Sequence, residues 1–428
     1  MNPYSIKFTI RSFFRDILRG WWARNIIYPS LRQNEHCKNT LDNFIKKQQT
    51  QNNIPPKYLP ATTYRISKSN SHFIDKNTIR NNPAAFIKPR KPSTFLRSKI
   101  STSGSTGRPL TLIQDLRAII REEAFVYRQL RWAGYKYRDR RVWLRGDIVC
   151  SGPTKGGVYG CRDWWTNTLM LSSYHIAPNT AESYLRALSD FDPVLIQAYP
   201  SSIHALASWM LANNVSYAGK SLRSIVTSSE TLDPDTQKQI EQVFGCKVFD
   251  WYGQAERVTA IATCEYGRHH MLTDYGLVEL YPEGNDLYEL VGTSYNNLTM
   301  PLMHYRTGDL VRKFDEECPC GRIFPVITEI LGRRDKIVTL PDGRQIGRLD
   351  HIFKGLDSIF EGQIAYQGKG HFSIRISVTS DWKDSDADHL IRQLTERISN
   401  ITASVDIVDS IPRGANGKFE FVRIEEDQ

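Results

Sequence analysis

Between Val194 and Asp250 the chain alternates short apolar runs with helix-like stretches, and each apolar run ends in polar residues. Val194 to Ala198 reads as a buried strand and Pro200 through Leu211 as a helix; Ser224 to Thr227, the helix Pro234 to Val243 and the strand Lys247 to Asp250 repeat the pattern. Strands joined by helical crossovers pair in parallel, so this region must fold as an α/β layer with its polar motifs collected at the C-terminal strand ends. Beyond Gly276 the texture changes to strands and turns (Leu277 to Leu280, Leu287 to Val291, Leu310 to Phe314), which reads as a β-rich subdomain. A tail of about ninety residues follows Gly332-Arg333-Arg334-Asp335. Strands near Ile364 to Tyr366, His371 to Val378 and Val405 to Val408, with a helix from Ala387 to Ile398, make it a small α+β lobe. A length of 428 residues suits two or three domains. The expected divisions are 1–60 (a basic, aromatic helix and linker), 61–332 (the large domain) and 333–428 (the small lobe).

The stretch STSGSTGRP, Ser101 to Pro109, packs five hydroxyl side chains and two glycines into nine residues and has no apolar face to bury. Glycines let backbone N–H groups approach an anion, and Ser and Thr add uncharged donors, so this composition suits phosphate. A flexible surface linker has the same composition. The spacing differs from the G-x-x-x-x-G-K-[ST] nucleotide loop. Apolar residues recur at helical spacing from about Asp115 to Leu130, which predicts a helix directly after the loop, its N-terminus adding partial positive charge to the phosphate site.

Further polar motifs follow in order: Thr227-Ser228-Ser229-Glu230, Trp251-Tyr252-Gly253-Gln254-Ala255-Glu256, Tyr305-Arg306-Thr307-Gly308-Asp309, Gly332-Arg333-Arg334-Asp335 and Gly417-Lys418. Together with the Ser/Gly loop they resemble the adenylate-forming superfamily of acyl- and aryl-CoA ligases, from roughly residue 95 to the C-terminus. Within it the chain looks most like the phenylacetate-CoA ligase branch and the CapK-like proteins of surface polysaccharide synthesis. The resemblance implies a large domain of parallel α/β subdomains plus a β-rich subdomain, followed by a small mobile lobe. It also implies the roles. Ser101, Ser103, Gly104, Ser105, Thr106 and Gly107 would cradle the ATP phosphates, with Arg108 where relatives often have lysine. Tyr252 and Gly253 would lie against adenine, with Ser229 and Glu230 near it. Asp309 would hold the ribose hydroxyls, Arg333 would lie near the ribose, Glu256 would coordinate Mg²⁺, and Asp335 would be the hinge. Lys418 would reach the α-phosphate and the substrate carboxylate.

Cys264, His269 or His270, Cys318 and Cys320 supply three thiols and an imidazole, the ligand set of a structural tetrahedral zinc site. His270 is preferred because the resemblance continues best from it, with His269 as the alternative. Seven cysteines, an odd number at uneven spacing, do not form a secreted disulfide framework. With no signal-like apolar region and no run of spanning length, a cytoplasmic protein is expected. The net charge of +10 favours anionic partners, and no nucleic-acid motif appears. In the first forty residues Lys7, Arg11, Arg15, Arg19 and Arg24 alternate with Phe8, Phe13, Phe14, Trp21 and Trp22. Such a helix docks its apolar side on the domain it precedes, the favoured reading, or lies on a membrane surface. The polar segment 49–63, with three prolines, reads as a linker.

The expected function is ATP-dependent activation of a carboxylic acid as its acyl-adenylate, with transfer to CoA. Transfer to a carrier protein or an amino sugar is the near alternative, and a catalytically silent, zinc-stabilised interaction protein the distant one. Tyr159 to Trp165, Ser172 to His175 and Gln197 to Ser201 are the candidate acid-pocket segments.

Overall fold

A computed structural model describes the chain except residues 1, 53–64, 67–71, 91, 102–109, 151, 155–156, 285, 314–316, 334–337, 340–344, 347–348, 354–355, 357, 399–400, 415–417 and 426–428. Of Ser101 and Arg333 it describes the backbone, not the side chain. Among the described residues one 13-stranded sheet runs through the large domain. Five adjacent strands are parallel: Thr168–Ser172, Arg141–Arg145, Leu195–Ala198, Ser224–Ser228 and Lys247–Gly253. Leu195–Ala198 and Ser224–Ser228, in the middle, are buried throughout, as strands covered on both faces require. The helices Ala181–Phe191, Pro200–Ala212 and Pro234–Phe244 supply Leu188, Ile203, Leu206 and Ile240 against Leu144, Ile196 and Ile225 of the strands.

The expected β-rich part is present. Its strands Gly276–Gly284, Leu287–Ser294, Tyr305–Lys313 and Val326–Arg333 pair antiparallel and continue the parallel strands in the same ladder, through His269–Met271 and Ala260–Thr263. Lys247–Gly253 extends three residues beyond the predicted Lys247 to Asp250, so Trp251, Tyr252 and Gly253 lie on the strand itself.

One expectation is corrected. The long helix is Leu116–Trp132, and it does not follow the Ser/Gly loop directly. The strand Thr111–Asp115 intervenes and pairs antiparallel with Arg97–Ser101, so residues 102–109 connect two hairpin strands. The first turn of the helix is turned toward Asp115, whose carboxylate accepts the Ala118 N–H at 2.9 Å and those of Leu298 and Thr299 at 3.1 Å.

The tail forms a four-stranded sheet of Thr402–Ile407, His371–Val378, Ile359–Tyr366 and Val422–Ile424 with the helix Asp384–Arg397 on it. Phe372, Ile374, Ile376, Leu390 and Leu394 form its own core. Phe360, on the strand Ile359–Tyr366, packs into the core of the parallel layer.

The segment from Pro3 to Gln33 is helical throughout, with π-type stretches at Asp16–Gly20 and Ala23–Ile27. It is docked on the large domain, but not by its apolar side. Ser5, Ser12, Gly20 and Ala23 are buried, with Phe8, while Phe14, Leu18 and Trp22 are exposed. Small residues let the backbones approach, and polar contacts fix the position. Ser5 Oγ accepts the Arg162 N–H at 3.0 Å, Tyr137 donates to Asp16 at 2.7 Å, and Arg19 pairs with Glu123 at 2.7 Å. The helix Lys38–Asn52 takes up the start of the predicted linker, and residues 53–63 of that linker lie outside the described residues. Among the described residues no helix is long and apolar enough to cross a membrane.

The end of the first helical segment is held from below by a buried ion pair. Arg128 donates to both oxygens of Asp274 at 2.8 and 3.0 Å, and Asn34 donates to the same carboxylate at 3.1 Å. Removing one member of such a pair leaves an uncompensated charge, at about 3–5 kcal/mol, whereas removing both is far cheaper. Arg128→Met is therefore expected to lower the urea midpoint steeply, and Arg128→Met combined with Asp274→Leu to recover part of the loss. An unchanged midpoint in the single variant would show that the pair contributes nothing to stability.

Candidate functional site

The parallel strands end in a cluster of turns. After Ser224–Ser228 the chain turns at Ser229, a non-glycine residue at φ +74°. Left-handed backbone costs energy unless neighbours hold it. Here the Arg145 guanidinium, at the end of the next strand but one, donates to Ser229 Oγ at 2.6 Å. At Gly332 (φ +84°) a Cβ would stand 2.5 Å from Thr231 Oγ1, so the Gly332-Arg333 motif closes against the Ser229-Glu230 turn only through glycine.

Glu230 has two tasks. One carboxylate oxygen accepts the Ser201 N–H at 3.0 Å, in the first turn of the helix Pro200–Ala212, whose preceding residue supplies no side-chain cap. The other accepts the Phe419 N–H at 2.8 Å, across to the small lobe. Half-buried Lys418 is the residue before it, and its carbonyl accepts the Gly414 N–H at 3.0 Å. A buried pair of Arg413 and Glu361 lies beside this contact, with the guanidinium 4.6 Å from the centre of the Phe419 ring. Burial is the main influence on the Glu361 carboxyl and raises it to about 7 despite Arg413.

The strand Tyr305–Lys313 bulges between Arg306 and Leu310 relative to its neighbour, with Gly308 at φ +76°. Glu289 holds the bulge by accepting the Gly308 N–H at 3.1 Å and pairing with Arg306. A bulge re-aims a side chain. Asp309 is the result: its carboxylate accepts the Tyr252 hydroxyl at 2.7 Å, and its backbone lies opposite Arg333 in the ladder. Burial and the Asp309 charge push the Tyr252 phenol well above its usual range, so it remains a donor. Tyr305, from the same motif, donates to buried Glu256 at 2.8 Å. The structure thus joins Tyr252 to Asp309, Asp309 to Arg333 along the ladder, and Glu230 to the residue after Lys418. Residues 102–107 of the phosphate loop and Asp335 lie outside the described residues.

A cavity of about 440 Å³ opens beside Ser228, Ser229 and Gly253. Of the three segments expected to line it, Gln197 alone does so among the described residues; its walls are the first helical segment (Ser12, Arg15, Asp16, Arg24) and the long helix (Glu122, Glu123). Half-buried His175 does not line it, and stands 2.8 Å from Ser172 Oγ, stacked on Tyr159 at 4.6 Å. The missed residues carry a faint sequence signal, Arg15 and Asp16 side by side inside an aromatic helix.

Cys264, His270, Cys318 and Cys320 bring their ligand atoms within 4.8 Å of one another. Cys264 and Cys318 sulfurs are 3.6 Å apart, and Cys320 Sγ is 3.4 Å from His270 Nε2. His270 Nδ1 faces the Phe324 carbonyl at 3.0 Å, which leaves Nε2 for the thiols, while His269 contacts Thr263 Oγ1 on the other side of the strand. Burial acts to raise the Cys320 thiol, but hydrogen bonds from His270 and the Arg322 N–H outweigh it and bring it down to about 6.

The model for AMP-binding enzymes matches residues 36–302, more than half of the chain, and the CapK C-terminal domain matches residues 338–425. The chain belongs to the AMP-binding enzyme family of adenylate-forming ligases, in a CapK-like form. It is similar to Protein CapK of Staphylococcus aureus, 24% identical over 361 residues that cover 81% of this chain and 78% of that protein. Phenylacetate-coenzyme A ligase of Thermus thermophilus is 29% identical over 177 residues, covering 39% of this chain and 40% of that protein. Among solved structures, 2-hydroxyisobutyryl-CoA ligase in the postadenylation state, in complex with R3-HIB-AMP, has a TM-score of 0.63 at 17% identity, over 92% of this chain and 86% of that one. At that identity the likeness speaks for the fold.

Replacing Glu230 by Ala removes the acceptor of two backbone N–H groups, and hydrogen bonds to charged groups are worth about 1.5–3 kcal/mol each. Glu230→Ala is expected to release the loop around Phe419, read as roughly tenfold faster tryptic cleavage after Lys418 with unchanged far-UV circular dichroism. Cleavage at the wild-type rate would mean that other contacts hold the loop.

Proposed function

We propose that the chain is an AMP-forming acid ligase that converts a carboxylic acid to its acyl-adenylate and transfers the acyl group to CoA. The observation that carries this reading is the double contact of Glu230, which brings the Lys418 loop against the turn at the strand ends where Ser229 and the cavity meet. A substrate carboxylate oxygen attacks the α-phosphorus of ATP, and the bond to pyrophosphate breaks with its electron pair leaving on pyrophosphate. The CoA sulfur then attacks the acyl carbon, and AMP departs with the electrons of the acyl–oxygen bond.

Ser101, Ser103, Gly104, Ser105, Thr106 and Gly107 hold the β- and γ-phosphates in this reading. Tyr252 and Gly253 flank the adenine, Asp309 and Arg333 the ribose, and Asp335 is the hinge. Glu256 fits Mg²⁺, a hard cation that takes carboxylate oxygens, because its carboxylate is buried and steadied by Tyr305. The cation would neutralise phosphate charge. Charged Arg15, Arg24, Arg141, Glu122 and Glu123 line the cavity together with Tyr127, Tyr135, Trp143 and Trp251, a mixed wall that suits an acid with an apolar body and polar substituents.

ATP–pyrophosphate exchange across a panel of hydroxy, amino and aryl acids tests the reaction, with hydroxylamine trapping the activated acyl group. A preorganised charge donor is commonly worth about 10²–10³ in rate. Lys418→Ala is expected to lose at least that much exchange while keeping transfer from a synthetic acyl-adenylate. Equal loss of both half-reactions would assign Lys418 to the fold, and unchanged exchange would remove it from the mechanism.

The Cys264, His270, Cys318 and Cys320 cluster is proposed to hold structural zinc. The donors fit: three sulfurs and one imidazole fill a tetrahedron, and the Phe324 carbonyl, at His270 Nδ1, fixes the ring with Nε2 toward the sulfurs. Purified protein is expected to contain one zinc per chain, and Cys320→Ser to lose both metal and solubility, since such sites supply about 10 kcal/mol of apparent binding energy. Metal-free wild-type protein with normal thermal stability would reject this assignment.

A further inference from the structure

The first helical segment is inside out. A helix at the surface of a soluble protein buries its apolar stripe and exposes its polar one. Here Ile6, Ile10, Phe14, Leu18, Trp22 and Ile26 form an exposed row, each four residues after the last, at 44–62% exposure. A second row, Phe13, Ile17 and Trp21, runs beside it. The face turned inward carries Ser12, Arg15, Asp16, Gly20 and Arg24, which line the cavity.

The backbone keeps these rows straight. In a regular α-helix a spacing of four overshoots the turn by about 40° each time, so six such residues would wind to the opposite side. The π-type stretches at Asp16–Gly20 and Ala23–Ile27 put more residues into a turn and set the row back, so the apolar face stays continuous. A face of this extent on a soluble chain marks an interaction surface.

Charge selects the occupant. Residues 1–34 contain six basic residues and one acidic, Asp16, which is engaged by Arg24 at 2.6 Å and by Tyr137. Lys7 and Arg11 are exposed beside the apolar rows. A second copy of this chain packed face to face would set these cations against each other. An anionic membrane surface answers both features, since acyl chains take the Phe, Leu and Ile side chains, Trp sits at the headgroup level, and the cations meet anionic headgroups. We propose that the chain docks on anionic phospholipid membranes through the exposed face of Pro3–Ile27, lying in the interface plane. The cavity would then sit about one helix diameter, roughly 10 Å, from the lipid.

Flotation of the full chain with vesicles tests this. Vesicles of phosphatidylglycerol and phosphatidylcholine are expected to carry the wild-type protein up the gradient, and vesicles of phosphatidylcholine alone to carry much less. Phe14→Ser, Leu18→Ser and Trp22→Ser combined should abolish flotation without lowering the thermal midpoint, because these side chains are already in solvent. Lys7→Gln and Arg11→Gln should each weaken binding about fivefold, and added salt should do the same. Absence of wild-type binding to either vesicle, equal binding to both, or a dimer lost in the triple variant without vesicle binding would each overturn the proposal.

Discussion

The Arg128–Asp274 pair is the contact on which the arrangement of the large domain depends. Two charges in a site without water cost more to bury than most contacts return, unless their geometry is good and their remaining hydrogen-bonding capacity is used. Both conditions are met. The guanidinium spans both carboxylate oxygens, Asn34 takes a further position, and the rings of Phe125, Trp132 and Phe324 lie 5.0, 5.6 and 4.9 Å from the cation. Four pieces of chain distant in sequence meet there. Arg128 belongs to the long helix, Asn34 to the end of the first helical segment, Asp274 to the turn before Gly276–Gly284, and Phe324 to the segment that carries the His270 carbonyl partner. The cavity wall and the Cys/His cluster are thus both tied to segments that meet at this buried ion pair.

The candidate site uses backbone irregularity where the sheet is otherwise regular. Ser229 in the left-handed region, the bulge at Gly308 and the close approach at Gly332 each depart from ideal strand geometry, and each lies on a motif. A straight strand would alternate Asp309 with its neighbours and give it no reason to meet Tyr252. The bulge supplies the extra residues, and Glu289 stabilises them. The small lobe is attached with similar economy, through Phe360 in the parallel-layer core and through the Phe419 N–H on Glu230.

The first helical segment links the cavity to the surface. Its inner residues are small or charged and its outer residues large and apolar, so one helix serves as a cavity wall and as an exposed face. The π-type turns matter for both, since the same phase correction that keeps the apolar rows straight keeps Ser12, Asp16, Gly20 and Arg24, again four apart, turned inward.

What the sequence determined by itself was the set of local elements and the chemistry of the motifs. Leu195–Ala198, Ser224–Ser228 and the helix between them follow from hydrophobic period and length, and the thiol and imidazole types point to the cluster. The strand Thr111–Asp115 was hidden because five residues carry too little periodicity to separate a strand from the start of a helix. Tertiary structure decided which residues face one another. The choice of His270 over His269 depends on which side of a strand meets Cys318 and Cys320, and the cavity walls come from residues about a hundred positions apart. The orientation of the first helix was likewise not local. Its sequence has an apolar side and a small, polar side, and only the Arg162, Tyr137 and Glu123 partners on the large domain determine that the small side turns inward, because hydrogen-bonded polar contacts at close backbone approach fix a position that apolar area alone would have reversed.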